Sequence, residues 1–185
     1  MTDAVSLPRF DSPGVGFEHP FAMLQACHDR VRRSLDLLQR LLDHFERVGH
    51  DEQARAAALD VWRYFELAAP AHHSDEERHL LPLLRQSGDA GLARVALRLQ
   101  ADHDALHALW RQLGPLLQQV HAAASPLTPA ATDLLRAWAA AFIAIHERHL
   151  PLEDDVAFPA ARSRMLPADL EAMGSEMQRR RSTAR

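Results

Sequence analysis

The chain has 185 residues, 47% of them apolar and only seven glycine, which suffices for one well-buried core and is short for two ordinary domains. A formal net charge of -4 and a pI near 6.3 offer no basic field for phosphates, so nucleic acid is not an expected partner. Cys27 is the only cysteine, which excludes an internal disulfide framework and any thiolate-rich zinc or iron-sulfur site, and no run of 18 uncharged apolar residues predicts a membrane span or a membrane partner.

A soluble cytoplasmic protein is therefore expected, since the start MTDAVSLPRF also has neither the basic nor the apolar stretch of a leader. The abnormal count is twelve histidines.

Residues 1–16 read as an extended arm. From Phe21 a helical stripe runs through Leu24, Val31, Leu35, Leu38, Leu42 and Phe45, with His28 in a core slot. A second helix, about 52–86, carries Val61, Phe65, Ala68 and His72 on one face. A third stripe, Leu92, Val95, Leu99, Leu106, Trp110, Leu113 and Leu117, has His103 in line. The fourth, about 129–158, shows Leu135, Trp138, Phe142, Ile145 and His149, with Pro151 expected to kink it. Turn signals at VGHDE (48–52), SGDAG (87–91) and ASPLTP (124–129) join the four by short links. The fold class predicted is all-α, an up-down-up-down four-helix bundle over 17–162. Residues 163–185 read as a short extra C-terminal helix, begun by Pro167, and a tail whose RRR at 179–181 places cations on the helix dipole.

In an antiparallel pair, residues equidistant from the connecting turn share a height, because each helix rises about 1.5 Å per residue. His28 and His72 have their midpoint at residue 50, Glu76 and His103 at 89.5, and His103 and His149 at 126, each inside a turn placed independently. The four histidines should meet at one level, one from each helix. Four residues after His149 comes Glu153, on the same helix face, as Glu76 follows His72. The pattern HxxxExxxxxP occurs at 72–82 and again at 149–159. The offset of 77 residues that superposes the two leaves His73 and Glu77 without counterparts, so these two are expected at the rim.

Four imidazoles and two carboxylates buried together would cost several kcal/mol for each uncompensated charge, and a cation supplies the compensation. Mixed nitrogen and oxygen donors without sulfur suit iron, manganese or zinc. Two glutamates from diagonal helices can each bridge two ions, leaving two histidines per ion, so the predicted metal ligands are His28, His72, Glu76, His103, His149 and Glu153. His19, His44, His50 and His121 lie near helix ends or far from this level and read as ordinary hydrogen-bonding residues. Trp62, Trp110, Trp138 and Tyr64 read as packing residues.

The pattern resembles the hemerythrin-like HHE cation-binding domain over roughly residues 17–160, carried by CHDRVRRSLDLL, HHSDEERHLLP and HLPLEDDVAFP. The resemblance implies two non-haem iron ions with carboxylate and oxo bridges, used to bind or sense oxygen, nitric oxide or peroxide, or to handle iron. Oxygen-carrying members use HxxxH on the third helix and HxxxxD on the fourth. Here His107 and Asp154 stand at those positions as further candidate ligands, while the internal repeat favours Glu153. A ferritin-like oxidase would need four glutamates and two inward ExxH motifs, and only Glu76 with His79 has that spacing. HERH at 146–149 is one residue short of a zinc-protease HExxH. A binding or sensing protein for a small diatomic gas or peroxide is the expectation, and a sensing role would need a protein partner to read it out. The alternatives are a di-iron enzyme of peroxidase, ferroxidase or nitric oxide reductase type, with His73, His79, His107 and His146 relaying protons, and a bundle that uses metal for stability alone.

Overall fold

A computed structural model describes residues 15–183, so the expected arm over 1–16 lies almost wholly outside the described residues. Local chemistry fixes where each long helix begins. Helix α1 (Pro20–Arg47) opens on Pro20, whose missing N–H costs nothing in a first turn. It closes where the amides of Val48 and Gly49 both donate to the His44 carbonyl, at 2.8 and 3.2 Å, with Gly49 at φ 96° where a side chain would be strained. Asp51 caps α2 (Glu52–Leu67) by accepting from the Ala54 amide at 2.9 Å. Asp89 caps α5 (Ala90–Ala122) through the amides of Gly91 and Leu92, and Thr128 caps α6 (Pro129–Leu152) through that of Ala131.

Two of the predicted helices are broken. The stretch predicted as one helix over 52–86 is α2, α3 (Ala69–His79) and α4 (Leu81–Arg85), because Pro70 and Pro82 cannot donate to the carbonyls four residues back. The fourth helix passes through Pro151 and widens into a π turn (Glu153–Ala157), where the Phe158 amide donates to the Glu153 carbonyl five residues back. It then tightens again as α7 (Phe158–Arg162), with Pro159 in its first turn.

Packing joins α1 to α2, α2 to α5, α5 to α6 and α6 back to α1, so the described chain is an all-helical bundle. Helix α8 (Pro167–Thr183) lies on α1 and α3 and buries Met173 and Met177. The backbone of Gly174 sits against the Phe17 carbonyl so closely that an added Cβ would be 1.9 Å from its oxygen. No helix among the described residues is long and apolar enough to cross a membrane.

The apolar core is divided in two. One cluster includes Val31, Leu35, Phe65, Leu106, Leu113, Phe142 and Ile145; the other includes Phe21, Leu24, Leu80, Leu84, Leu99, Phe158 and Met173. His28 lies between Leu24 and Val31, and His103 between Leu99 and Leu106, so each stands where its helix passes from one cluster to the other. A buried polar layer separates two dry ones.

Candidate metal centre

The six residues selected by spacing are brought together. His28 comes from α1, His72 and Glu76 from α3, His103 from α5, His149 from the end of α6 and Glu153 from the first position of the π turn. None is more than 2% exposed. Donor atoms of His28, His72, Glu76 and Glu153 all lie within 4.8 Å of one another, and so do those of His103, His149 and Glu153. The glutamates stand between the two histidine pairs. The Glu76 carboxylate is 3.2 Å from His72 Nε2 and 3.5 Å from His103 Nε2; that of Glu153 is 3.2 Å from both His28 Nε2 and His149 Nε2.

These approaches are close but misdirected for hydrogen bonding. Of the ten buried side-chain nitrogens and oxygens lacking a hydrogen bond among the described residues, nine belong to these six side chains. Both oxygens of each glutamate are among them. Orphaned atoms of this kind are rare in folded proteins, and a bound ion is one partner that satisfies several of them at once. The donor set of imidazole and carboxylate, without sulfur, fits a borderline divalent or trivalent metal.

Electrostatics separates the two carboxylates. Burial raises Glu76, Glu153 beside it raises it further, and its carboxyl is carried to about 7 against the pull of His28 and His103. Burial also acts on Glu153, but His149, His103 and His28 overcome it and hold that carboxyl well below the usual range. Burial opposes the charged form of His28, yet Asp154, Glu153 and Glu76 carry it up to about 11; against the same opposition Glu153 and Glu77 carry His103 to about 10. His72 goes the other way, held neutral by burial and by His28.

The outer contacts correct the expectation for Glu77 and place Asp154. His28 Nδ1 donates to Asp154 Oδ1 at 2.7 Å, and His103 Nδ1 donates to Glu77 Oε1 at 2.9 Å. Each acid directly follows one of the central glutamates, and the 77-residue offset maps Glu77 onto Asp154, so Glu77 does have a counterpart. Each reaches to the histidine of a helix in the other half. Such a contact fixes the ring and leaves Nε2 for the centre. Asp154 is in turn gripped by Arg32. Asp102, which sequence reasoning passed over, is buried with its Oδ2 3.7 Å from His149 Nδ1 and is held by Arg98 and Arg148. The signal for Glu77 and Asp154 was an acid after each glutamate in both repeats; Asp102 had none beyond adjacency to His103.

The surplus histidines are spoken for. His73 is buried rather than at the rim: it stacks on His103 with ring centroids 4.2 Å apart and shares a 3.2 Å hydrogen bond with exposed His107. His107 therefore lies outside the two donor groups. His146 donates through Nδ1 to the Phe142 carbonyl, and His79 contacts Glu176. His44, His50 and His121 bind Asp51, the Val120 carbonyl and the Arg55 carbonyl respectively, tying the ends of helices together.

Removing the outer acids tests their role. Asp154→Ala or Glu77→Ala is expected to weaken metal binding about 10- to 100-fold with the fold retained, measured by competition with a chromogenic chelator. Unchanged affinity in both would show that neither ring needs its acid.

A family model described as the hemerythrin HHE cation binding domain matches residues 19–179. An uncharacterised protein of Haemophilus influenzae is 28% identical over 165 residues, spanning 89% of this chain and 91% of its own length. With its paired histidines, shared glutamates and nearly full-length match, the chain belongs to the hemerythrin HHE cation-binding family.

Proposed function

We propose that the rods run up, down, up and down and that their centre holds two oxo-bridged non-haem irons through His28, His72, Glu76, His103, His149 and Glu153. In this reading the protein binds or senses oxygen, nitric oxide or peroxide in the cytoplasm. The observation that carries it is the set of nine orphaned donor atoms on six buried side chains contributed by every rod of the bundle. When bound, a pair of irons supplies redox-active positions for a small exogenous ligand.

The chain's own residues do the rest. Glu76 and Glu153 sit between the histidine pairs, Asp154 and Glu77 orient His28 and His103, and the two apolar clusters keep water away from the layer. Because all six donors are almost fully buried, only a ligand of a few atoms suits the centre.

Ferrous iron added without air should give two irons per chain, with a new near-ultraviolet band once oxygen is admitted. One zinc, or no stoichiometric metal, would sink the reading. A single contact favours a second reading, turnover: exposed His107 is hydrogen-bonded to buried His73, which stacks on His103, so a polar chain runs from solvent to the centre. Rapid multiple turnover of peroxide or nitric oxide by iron-loaded protein would make it an enzyme rather than a binding protein.

A further inference from the structure

Helix α3 carries two of the six candidate ligands and has almost no apolar means of holding its place. Its buried residues are Ala69, His72, His73, Asp75 and Glu76, four of the five polar. It is eleven residues long and broken from its neighbours at both ends, a length at which a helix depends on its surroundings. On its inward side are His72 and Glu76. On the adjoining face, turned toward α8, is Asp75, fully buried, a carboxylate that could not stay there alone.

Helix α8 supplies the partners. Arg180 Nη1 donates to Asp75 Oδ1 at 2.5 Å, and Arg181 donates from Nη2 to Oδ2 at 2.6 Å and from Nη1 to Oδ1 at 3.4 Å. Arg180 also reaches the Ala71 carbonyl at 3.4 Å, one residue before His72. Glu176 of the same helix meets His79 at 2.9 Å and is gripped by Arg180. The run 179–181, expected to sit on the helix dipole, is thus directed sideways at Arg180 and Arg181 into the ligand-bearing segment.

We infer that Asp75, Arg180 and Arg181 are positioning residues for the metal centre, and that α8 is the element through which metal occupancy is communicated to the surface. This rests on the proposed metal centre. The same short helix is held by charge on two adjoining faces, by ions at His72 and Glu76 and by guanidinium groups at Asp75. What fixes one side lowers the cost of fixing the other, so metal binding and α8 docking are reciprocally coupled. Loading the centre tightens α8; loosening α8 frees metal. A protein partner that recognises α8 would then distinguish the loaded from the empty protein.

The test combines hydrogen exchange with metal release on the full chain. Amide exchange over 167–183 and 69–79 is measured in wild type before and after ferrous loading, and iron loss to a chelator is timed in wild type, Asp75→Asn and Leu117→Ala. Asp75→Asn removes the charge that the arginines grip without leaving an unpaired carboxylate. Leu117→Ala strips apolar contact from the core cluster that has no member on α8 and touches no part of the latch. Iron should slow exchange in both segments of wild type. Asp75→Asn should speed iron loss about tenfold, within the span usual for coupled sites, and erase the iron-dependent protection of α8. Leu117→Ala should lower the melting temperature while iron loss stays near the wild-type rate. Exchange in α8 indifferent to iron, or iron loss accelerated equally by both variants, would overturn the inference and leave α8 a packing element. Wild type that takes up no iron would instead overturn the metal centre on which the inference rests.

Discussion

Glu76→Gln is expected to abolish stoichiometric metal binding and, in the metal-free protein at pH 8, to raise stability by about 2–3 kcal/mol. The two effects have opposite signs for one reason. Glu76 is fully buried, both its oxygens lack a hydrogen bond, and Glu153 beside it is ionised. Its carboxyl is carried to about 7, above the ordinary range, so the folded state holds its proton more tightly than the unfolded chain does. A raised acid contributes stability that is fully present below its unfolded pKa and is lost as pH rises through the folded value. By pH 8 that loss is complete and the amide variant, which carries no charge, escapes it. Near pH 4 the two proteins should melt together.

With metal the order reverses. Metal taken up by wild type should stabilise it by mass action, and the variant, lacking the carboxylate between His72 and His103, should gain nothing. Melting curves with chelator and with ferrous iron, at pH 4 and pH 8, check both signs. A chain of this size should shift by about 2–4 °C per kcal/mol. Metal retained by Glu76→Gln, or a lower melting temperature in chelator at pH 8, would defeat the account.

The helical stripes and the buried layer of histidine and glutamate were legible because they rest on regular geometry. A histidine that interrupts an apolar stripe at helical spacing has to lie in the core, and equal distances from the turns put His28, His72, His103 and His149 at one height without any knowledge of packing angles. The helix breaks at Ala68 and Leu80 were visible only as Pro70 and Pro82, residues that a helix accepts in a first turn and rejects in its interior. Which applies depends on tertiary contacts. The π turn was hidden for the same reason: Pro151 pointed to a kink, yet the backbone runs through it and widens afterwards, which sets Glu153 inward and Asp154 against His28. Asp75 was the least legible. Nothing near it in sequence explains a fully buried carboxylate, because its partners Arg180 and Arg181 lie more than a hundred residues away.

Metal uptake by the metal-free protein at pH 8 should release about two protons per chain. At that pH Glu153 and Glu76 are ionised, while His28 and His103, carried to about 11 and about 10, hold protons on both ring nitrogens. The Nδ1 protons bind Asp154 and Glu77 and stay there. Each Nε2 lies beside a central carboxylate without a hydrogen bond to it, 3.2 Å from Glu153 for His28 and 3.5 Å from Glu76 for His103. Two imidazolium charges thus neutralise two carboxylates, the role that ions take over when they bind. Each Nε2 must lose its proton to ligate, whereas His72, held neutral, has none to give up on this account. The apparent affinity should therefore rise about a hundredfold per pH unit near pH 8 and flatten as pH passes 10 to 11. Stability of the metal-free fold moves oppositely: a raised histidine contributes fully below its unfolded value near 6.5 and loses that contribution as pH climbs through the folded one. Calorimetric titrations in two buffers of different ionisation enthalpy count the protons directly. A count near zero at pH 8 would mean that His28 and His103 are already neutral while both carboxylates are ionised, and would defeat the account.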